Sequence, residues 1–128
     1  MTVKRIGLIG AGLMGHGIGK NIVENGLALA VMAHRNRAPV EDLLRRGATE
    51  VATPREMAQG ADLVILCVTG SPQVEETVYG EKGLLAGLRQ GLVIADCTTA
   101  EPQSTLRIAA DVAKKGGHFL DAPMTRTP

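Results

Sequence analysis

The sequence predicts an α/β domain built on a doubly wound parallel sheet. Short apolar runs alternate with longer amphipathic segments along all 128 residues, a pattern typical of successive βαβ units. The run at residues 63–68 is apolar on both faces, as in a parallel strand covered by helices on either side. A glycine-rich turn, G-x-G-x-x-G, stands between the first apolar run and the first amphipathic segment. Together these features indicate a single Rossmann-type domain over residues 1–128.

The other elements follow from the same alternation. Strands are expected at residues 6–9, 27–33, 48–52, 63–68, 92–95 and 118–120. Helices are expected at residues 13–25, 40–46 and 101–115, and after the N-cap residues Thr53 and Ser71, each of which is followed by a proline. Parallel strands joined by helices take right-handed crossovers, which produce the doubly wound arrangement.

The composition argues against several classes of function. The formal net charge is +1, from 14 basic and 13 acidic residues, so no concentrated basic face for nucleic acid or a membrane is indicated. Lys4 and Arg5 precede an apolar run as in a signal peptide, but six glycines between positions 7 and 19 interrupt that run. Cys67 and Cys97 lack the spacing of metal ligands, and we expect inert buried thiols in a reducing cytoplasm.

The glycine-rich turn carries the first functional prediction. Gly10 is expected to make a tight turn, Gly12 to let the backbone approach a pyrophosphate, and Gly15 to let helix and strand pack closely. Leu13 and Met14 open the helix, whose free N–H groups and positive dipole end attract phosphates. The alternative is a glycine turn chosen only for packing. The flanking strand and helix favour dinucleotide binding.

The end of the second predicted strand indicates which dinucleotide is bound. An NAD-binding domain usually places Asp or Glu there to hold the ribose hydroxyls. This sequence has A-H-R-N-R at residues 33–37 and no acid until Glu41. Arg35 and Arg37 can pair with a 2′-phosphate, so NADP(H) is favoured over NAD(H). The alternative is that both arginines are solvated loop charges, and His34 either stacks beside the adenine or faces solvent.

Three sequence stretches then occur in a characteristic order. They are residues 6–15 with Asn21, the segment D-C-T-T-A-E-P at 96–102, and F-L-D-A-P-M at 119–124. They resemble the N-terminal signature, the D-x-S-T-x-x-P stretch and the start of the D-A-P-V-S-G-G segment of the β-hydroxyacid dehydrogenase family, which includes 3-hydroxyisobutyrate dehydrogenase and tartronate semialdehyde reductase. The resemblance implies that Val68, Thr69 and Thr99 contact the nicotinamide ribose or ring.

The resemblance also implies a substrate segment that starts at Asp121. The chain departs from the family there, because T-R-T-P at 125–128 replaces S-G-G. Thr125 and Arg126 are the predicted substrate-binding residues, and Arg126 is either a clamp for a substrate carboxylate or a plain surface residue. The family's catalytic lysine lies in a G-x-x-G-x-G-x-x-x-K pattern that does not occur in this chain, so no catalytic residue is predicted here.

The resemblance and the two arginines together predict that the chain is the NADP(H)-binding domain of an oxidoreductase acting on a small 3-hydroxy acid or its semialdehyde. Family members continue into a helical C-terminal domain through which they form homo-oligomers, so a fragment is favoured over a stand-alone module. The chain alone is then expected to bind cofactor and to turn over little substrate. The alternatives are a non-catalytic dinucleotide-sensing module and the N-terminal domain of an imine reductase.

Overall fold

A computed structural model describes residues 3–10, 13–32, 37–98 and 101–122. The side chains of residues 13 and 14 are also outside the description. In chain order the elements are β1 (Arg5–Ile9), α1 (Leu13–Glu24), β2 (Ala28–Val31), α2 (Ala38–Arg45), β3 (Thr49–Glu50), α3 (Pro54–Gly60), β4 (Leu63–Leu66), α4 (Ser71–Tyr79), α5 (Leu84–Gly87), β5 (Val93–Asp96), α6 (Pro102–Lys114) and β6 (His118–Asp121).

The strands form one parallel sheet in the order β3-β2-β1-β4-β5-β6. The chain starts in the middle at β1, builds outward to β3, returns to β4 beside β1, and builds outward again to β6. The connections that leave β1 and β4 therefore run in opposite directions, which opens a crevice at the carboxyl ends of these two strands. This arrangement confirms the predicted Rossmann-type doubly wound sheet.

Two apolar layers hold the helices against the sheet. On one face α1 and α2 cover the strands through a cluster that includes Ile22, Val40 and Leu43. On the other face α3, α4, α5 and α6 contribute a second cluster that includes Met57, Val74 and Ile108. β1 supplies alternate residues to both clusters, which is why its sequence is continuously apolar.

Most of the expected helices and strands form, but some of their ends and caps differ from those predicted from the sequence. Thr53 caps α3 as predicted, accepting a hydrogen bond from the Glu56 N–H at 3.2 Å. The prediction that Ser71 caps α4 is wrong, because Gly70 holds that position and makes no side-chain cap. The Ser71 hydroxyl instead accepts a hydrogen bond from the Glu101 N–H at 2.7 Å, which joins the starts of α4 and α6. The short helix α5 is not expected from the sequence.

Candidate dinucleotide-binding site

Gly10 lies at the crevice between β1 and β4, directly after the last residue of β1. Its φ is +95°, a conformation that residues with a side chain rarely adopt. A Cβ at this position would stand 2.1 Å from the carbonyl oxygen of Cys67 and 3.3 Å from the Val68 side chain. The loop after β1 and the loop after β4 therefore approach each other at a distance that only glycine permits.

Gly15 fixes the position of α1 against this loop. A Cβ on Gly15 would stand 2.1 Å from the Gly10 carbonyl oxygen and 3.7 Å from the Cys67 Cβ. The first turn of α1 is therefore packed on the backbone of the turn that precedes it, as predicted for the third glycine of the motif. Gly12 lies outside the described residues, and Leu13 and Met14 are described only as the backbone that begins α1.

A hydrogen-bonded chain holds the other wall of the crevice. The Val68 N–H donates to the Thr98 hydroxyl at 3.1 Å, and the Thr98 N–H donates to Asp96 Oδ1 at 2.9 Å. Asp96 is fully buried and Thr98 is 3% exposed. Asp96 therefore acts through Thr98 to fix the backbone of Val68, whereas Thr69 is exposed at the mouth of the crevice. Thr99 lies outside the described residues.

The Asp96 carboxyl is in an unusual environment for an acid. Burial raises its pKa, although the hydrogen bonds from Thr98 act in the opposite direction. Its Oδ2 atom is buried and has no hydrogen-bond partner among the described residues. Because Asp96 is the fully buried last residue of β5, the arrangement agrees with the prediction of a strand-end group and not a catalytic acid.

Thr98 is a site residue that sequence reasoning did not single out. The signal was present in the D-C-T segment, because an Asp side chain commonly accepts a hydrogen bond from the backbone N–H two residues later. The sequence does not reveal the second contact, in which the Thr98 hydroxyl accepts a hydrogen bond from the N–H of Val68, 30 residues earlier in the chain.

The two cysteines stand side by side at the ends of β4 and β5. Both are half-buried free thiols, and the Cys97 N–H donates to the Leu66 carbonyl at 2.8 Å. Burial raises the pKa of Cys67 to about 12 and also raises that of Cys97. Both are therefore protonated at neutral pH, in agreement with the prediction of unreactive thiols.

The corner beyond β2, where the adenosine ribose is expected, contains an ion pair. Arg37 donates from Nη1 to Glu50 Oε2 and from Nη2 to Glu50 Oε1, each at 3.0 Å. Glu50 is the last residue of β3 and lies beside Val31, the last residue of β2. The hydrogen bond from Arg37 lowers the pKa of Glu50. The sequence has no acid from residue 33 until Glu41, but β3 brings the carboxylate of Glu50, 13 residues after Arg37, to this corner. His34 and Arg35 lie outside the described residues.

A second polar cluster ties α1 to α2. Asp42 Oδ2 lies 2.6 Å from His16 Nε2 and accepts a hydrogen bond from Arg46 Nε at 2.9 Å. These contacts lower the pKa of Asp42 to about 2, and the hydrogen bond with His16 is the largest cause. His16 belongs to the first turns of α1, so this cluster helps to anchor the helix whose start borders the crevice.

Other kinds of site receive no support from the described part of the chain. No group of three His, Cys, Asp or Glu side chains is arranged there to hold a metal ion. None of the helices described has both the length and the apolar character needed to cross a bilayer. A pocket of about 280 Å³ lies between α3 and the strands β1, β2 and β3, and its lining includes Ala30, Thr49 and Met57 but none of the predicted site residues.

A parallel sheet whose switch point is bordered by a glycine turn and a helix start defines a dinucleotide-binding Rossmann domain. The chain belongs to the family described as the NAD binding domain of 6-phosphogluconate dehydrogenase, and the model of that family matches residues 5–127.

Relatives of this chain include named oxidoreductases. It is 36% identical over 122 residues to 2-hydroxy-3-oxopropionate reductase (tartronate semialdehyde reductase) of Escherichia coli, covering 94% of this chain and 41% of that protein. It is 32% identical to the Cytokine-like nuclear factor N-PAC of Xenopus tropicalis, covering 97% of this chain and 23% of that protein. These matches confirm the resemblance to the β-hydroxyacid dehydrogenases. They also show that the chain spans less than half the length of these relatives.

Solved structures give the same result. The structure of 3-hydroxyisobutyrate dehydrogenase from Salmonella typhimurium superposes with a TM-score of 0.87 at 26% identity, over 96% of this chain and 42% of that one. Psf3 in complex with NADP+ and 2-OPP superposes with a TM-score of 0.86 at 27% identity, over 94% and 43%. An imine reductase from Pseudomonas sp. shares the fold, with a TM-score of 0.76 at 20% identity, over 92% and 40%.

Proposed function

We propose that this chain is the NADP(H)-binding domain of an oxidoreductase that transfers a hydride between nicotinamide and a small 3-hydroxy acid or its semialdehyde. The observation that carries the proposal is the approach of Gly10 to Cys67 and Val68 at the switch point. Glycine at this position permits the tight turn that brings the start of α1 to the switch point, where the free N–H groups of the helix can bind a pyrophosphate. The family membership and the reductase and dehydrogenase relatives support the same class of reaction.

The residues present fit a nicotinamide dinucleotide. A Cβ on Gly10 or Gly15 would meet backbone, which is the close packing expected of the first and third glycines of a dinucleotide-binding turn. When bound, the dinucleotide supplies or accepts the hydride. Gly10, Gly12, Gly15 and the backbone at Leu13 and Met14 would hold the phosphates. Val68, Thr69 and Thr99 would hold the nicotinamide ribose or ring, with Val68 fixed from behind by Thr98.

The proton that accompanies the hydride needs a group outside this set. Asp96 is buried behind Thr98, and the thiols of Cys67 and Cys97 remain protonated at neutral pH. We therefore assign no catalytic residue to this chain and place the proton donor in the part of the relatives that this chain does not span. Thr125 and Arg126 are proposed to bind the substrate carboxylate.

The preference for NADP(H) rests on Arg35 and Arg37, and His34 is the third residue proposed at that corner. A structural neighbour that holds NADP+ supports it. The experiment is a fluorescence titration of the 128-residue chain with NADPH and, separately, NADH. We expect saturable binding of both, tighter for NADPH, and loss of the difference in the variant R35A/R37A. Equal or tighter binding of NADH by the unaltered chain would remove the NADP(H) assignment and leave the fold and family intact.

A non-catalytic dinucleotide-sensing module is the second candidate. The observation that favours it is the relation to N-PAC, which is named as a nuclear factor and not as an enzyme. A sensor is expected to change its assembly when the dinucleotide binds. Light scattering of the chain with and without NADPH separates the two candidates, because a simple cofactor-binding domain keeps the same mass in both conditions.

A further inference from the structure

The proposed function does not explain why Arg37 forms an ion pair with Glu50 at the expected 2′-phosphate corner. Both of its hydrogen bonds are 3.0 Å long, and the pair stands where β2 and β3 end side by side. The side chains are 50% and 34% exposed, so the pair is accessible to a ligand and is not part of the core. It joins the start of α2 to β3, an edge strand of only two residues.

The pairing changes what Arg37 offers to a phosphate. A 2′-phosphate carries a charge of roughly −1.5 to −2 at neutral pH and binds best to an arginine whose terminal N–H groups are free. Both terminal nitrogens of Arg37 donate to Glu50, and the carboxylate cancels the guanidinium charge. One N–H on each terminal nitrogen and the Nε–H are not used in this pair, but a phosphate that approaches them must meet the negative charge of the carboxylate.

We propose that Glu50 is a specificity-determining residue, which weakens binding of the 2′-phosphate and so narrows the preference of this site for NADP(H) over NAD(H). This inference rests on the proposed dinucleotide function. Glu50 acts on the one group that distinguishes the two cofactors. The glycine turn and the ends of β1 and β4 would hold the rest of the dinucleotide, and Glu50 makes no contact with them among the described residues.

The test is Glu50→Gln in the 128-residue chain, titrated with NADPH and NADH. The substitution keeps the size of the side chain and removes its charge. We expect NADPH to bind roughly three- to tenfold more tightly and NADH to change by less than about twofold, because an exposed charge at this range has a modest effect. The gain for NADPH should shrink at high salt, since screening weakens exposed charge interactions.

Glu24→Gln is the matched control. Glu24 also pairs with an arginine, Arg46, at 4.0 Å and is 58% exposed, but it ends α1 and so lies about 18 Å along that helix from the glycine turn. We expect its affinities for both cofactors to match those of the unaltered chain. An equal gain for NADPH in this control would overturn the proposal, because the effect would then follow net charge and not the position of Glu50.

The remaining outcomes separate this inference from the proposed function. If the unaltered chain binds both cofactors and Glu50→Gln leaves their ratio unchanged, the inference is wrong and the proposed function stands. Weaker NADPH binding in Glu50→Gln would also overturn it, because Glu50 would then be holding Arg37 in position for the phosphate. No binding of either cofactor by the unaltered chain overturns both proposals.

Discussion

The glycine turn after β1 and the charged corner beyond β2 serve the same proposed ligand by different physical means. At the turn, any Cβ on Gly10 or Gly15 would overlap a backbone carbonyl oxygen at 2.1 Å. At the corner, the side chains of Arg37 and Glu50 are 50% and 34% exposed and form an ion pair outside the core. Changes at the turn should therefore be severe and affect both cofactors alike, whereas changes at the corner should be graded and selective.

Gly15→Ala should give the largest effect. The added Cβ would meet the Gly10 carbonyl oxygen at 2.1 Å, and backbone cannot move aside as a flexible side chain can. We expect a loss of about 2–4 kcal/mol in the free energy of unfolding and loss of both NADPH and NADH binding. Urea denaturation and the two cofactor titrations measure these effects.

Gly17→Ala is the control in the same helix. A Cβ there would meet no described atom within 4 Å outside its immediate neighbours. Since alanine restricts the unfolded chain more than glycine does, we expect stability to rise by up to about 1 kcal/mol with cofactor binding unchanged. Equal destabilisation by the two substitutions would contradict this explanation, because the loss at Gly15 would then not depend on its contact with the turn.

Thr98→Val tests the hydrogen bond by which the buried Thr98 fixes the backbone of Val68 on the other side of the crevice. The substitution keeps the shape of the side chain but removes the acceptor for the Val68 N–H. We expect a loss of about 1–3 kcal/mol in stability, because a part-buried N–H is left without its partner, and weaker binding of both cofactors. A variant that loses stability yet binds NADPH and NADH as before would show that the position of Val68 does not matter for the ligand.

Asp96→Asn tests how the contribution of Asp96 to folding stability depends on pH. Because burial raises the pKa of Asp96, the folded protein holds this proton more tightly than the unfolded chain does. Its contribution to stability is therefore fully present below the ordinary Asp pKa, about 3.9, and is lost as the pH rises through the folded-state value. We expect thermal melts across that interval to show a fall in stability for the unaltered chain and a smaller fall for Asp96→Asn. Identical pH profiles of stability for the two chains would mean that ionisation of Asp96 does not destabilise the folded protein.

Asp42→Asn should give the smallest effect. Asp42 has a pKa of about 2, well below the ordinary value, through its contacts with His16 and Arg46. Its contribution to stability is present above the ordinary pKa and is lost as the pH falls through the interval down to about 2. We expect the unaltered chain to be slightly more stable than Asp42→Asn at pH 6 and equally stable near pH 2. A stability difference that persists at pH 2 would assign the role of Asp42 to packing.

Several features of the fold and site can be predicted from the amino-acid sequence. Buried parallel strands leave continuous apolar runs, and a turn that tolerates no Cβ leaves glycines at set spacings, so β4 and the roles of Gly10 and Gly15 follow from local sequence. Thr53 is predictable as a cap because its hydrogen-bond partner, Glu56, is only three residues away. Each of these features depends on residues close together in the chain.

Other features were decided only by the tertiary structure. Ser71 is expected to cap its own helix but accepts a hydrogen bond from Glu101, 30 residues away, because α4 and α6 start side by side. Thr98 meets Val68, and Glu50 meets Arg37, for a related reason: parallel strands bring their carboxyl ends to one edge of the sheet whatever their separation in sequence. The sequence alone determined the parallel sheet, the six strands, all the helices except α5, and the glycine turn. Which polar side chains meet above that sheet was set by strand order and register, which exist only once the chain has folded.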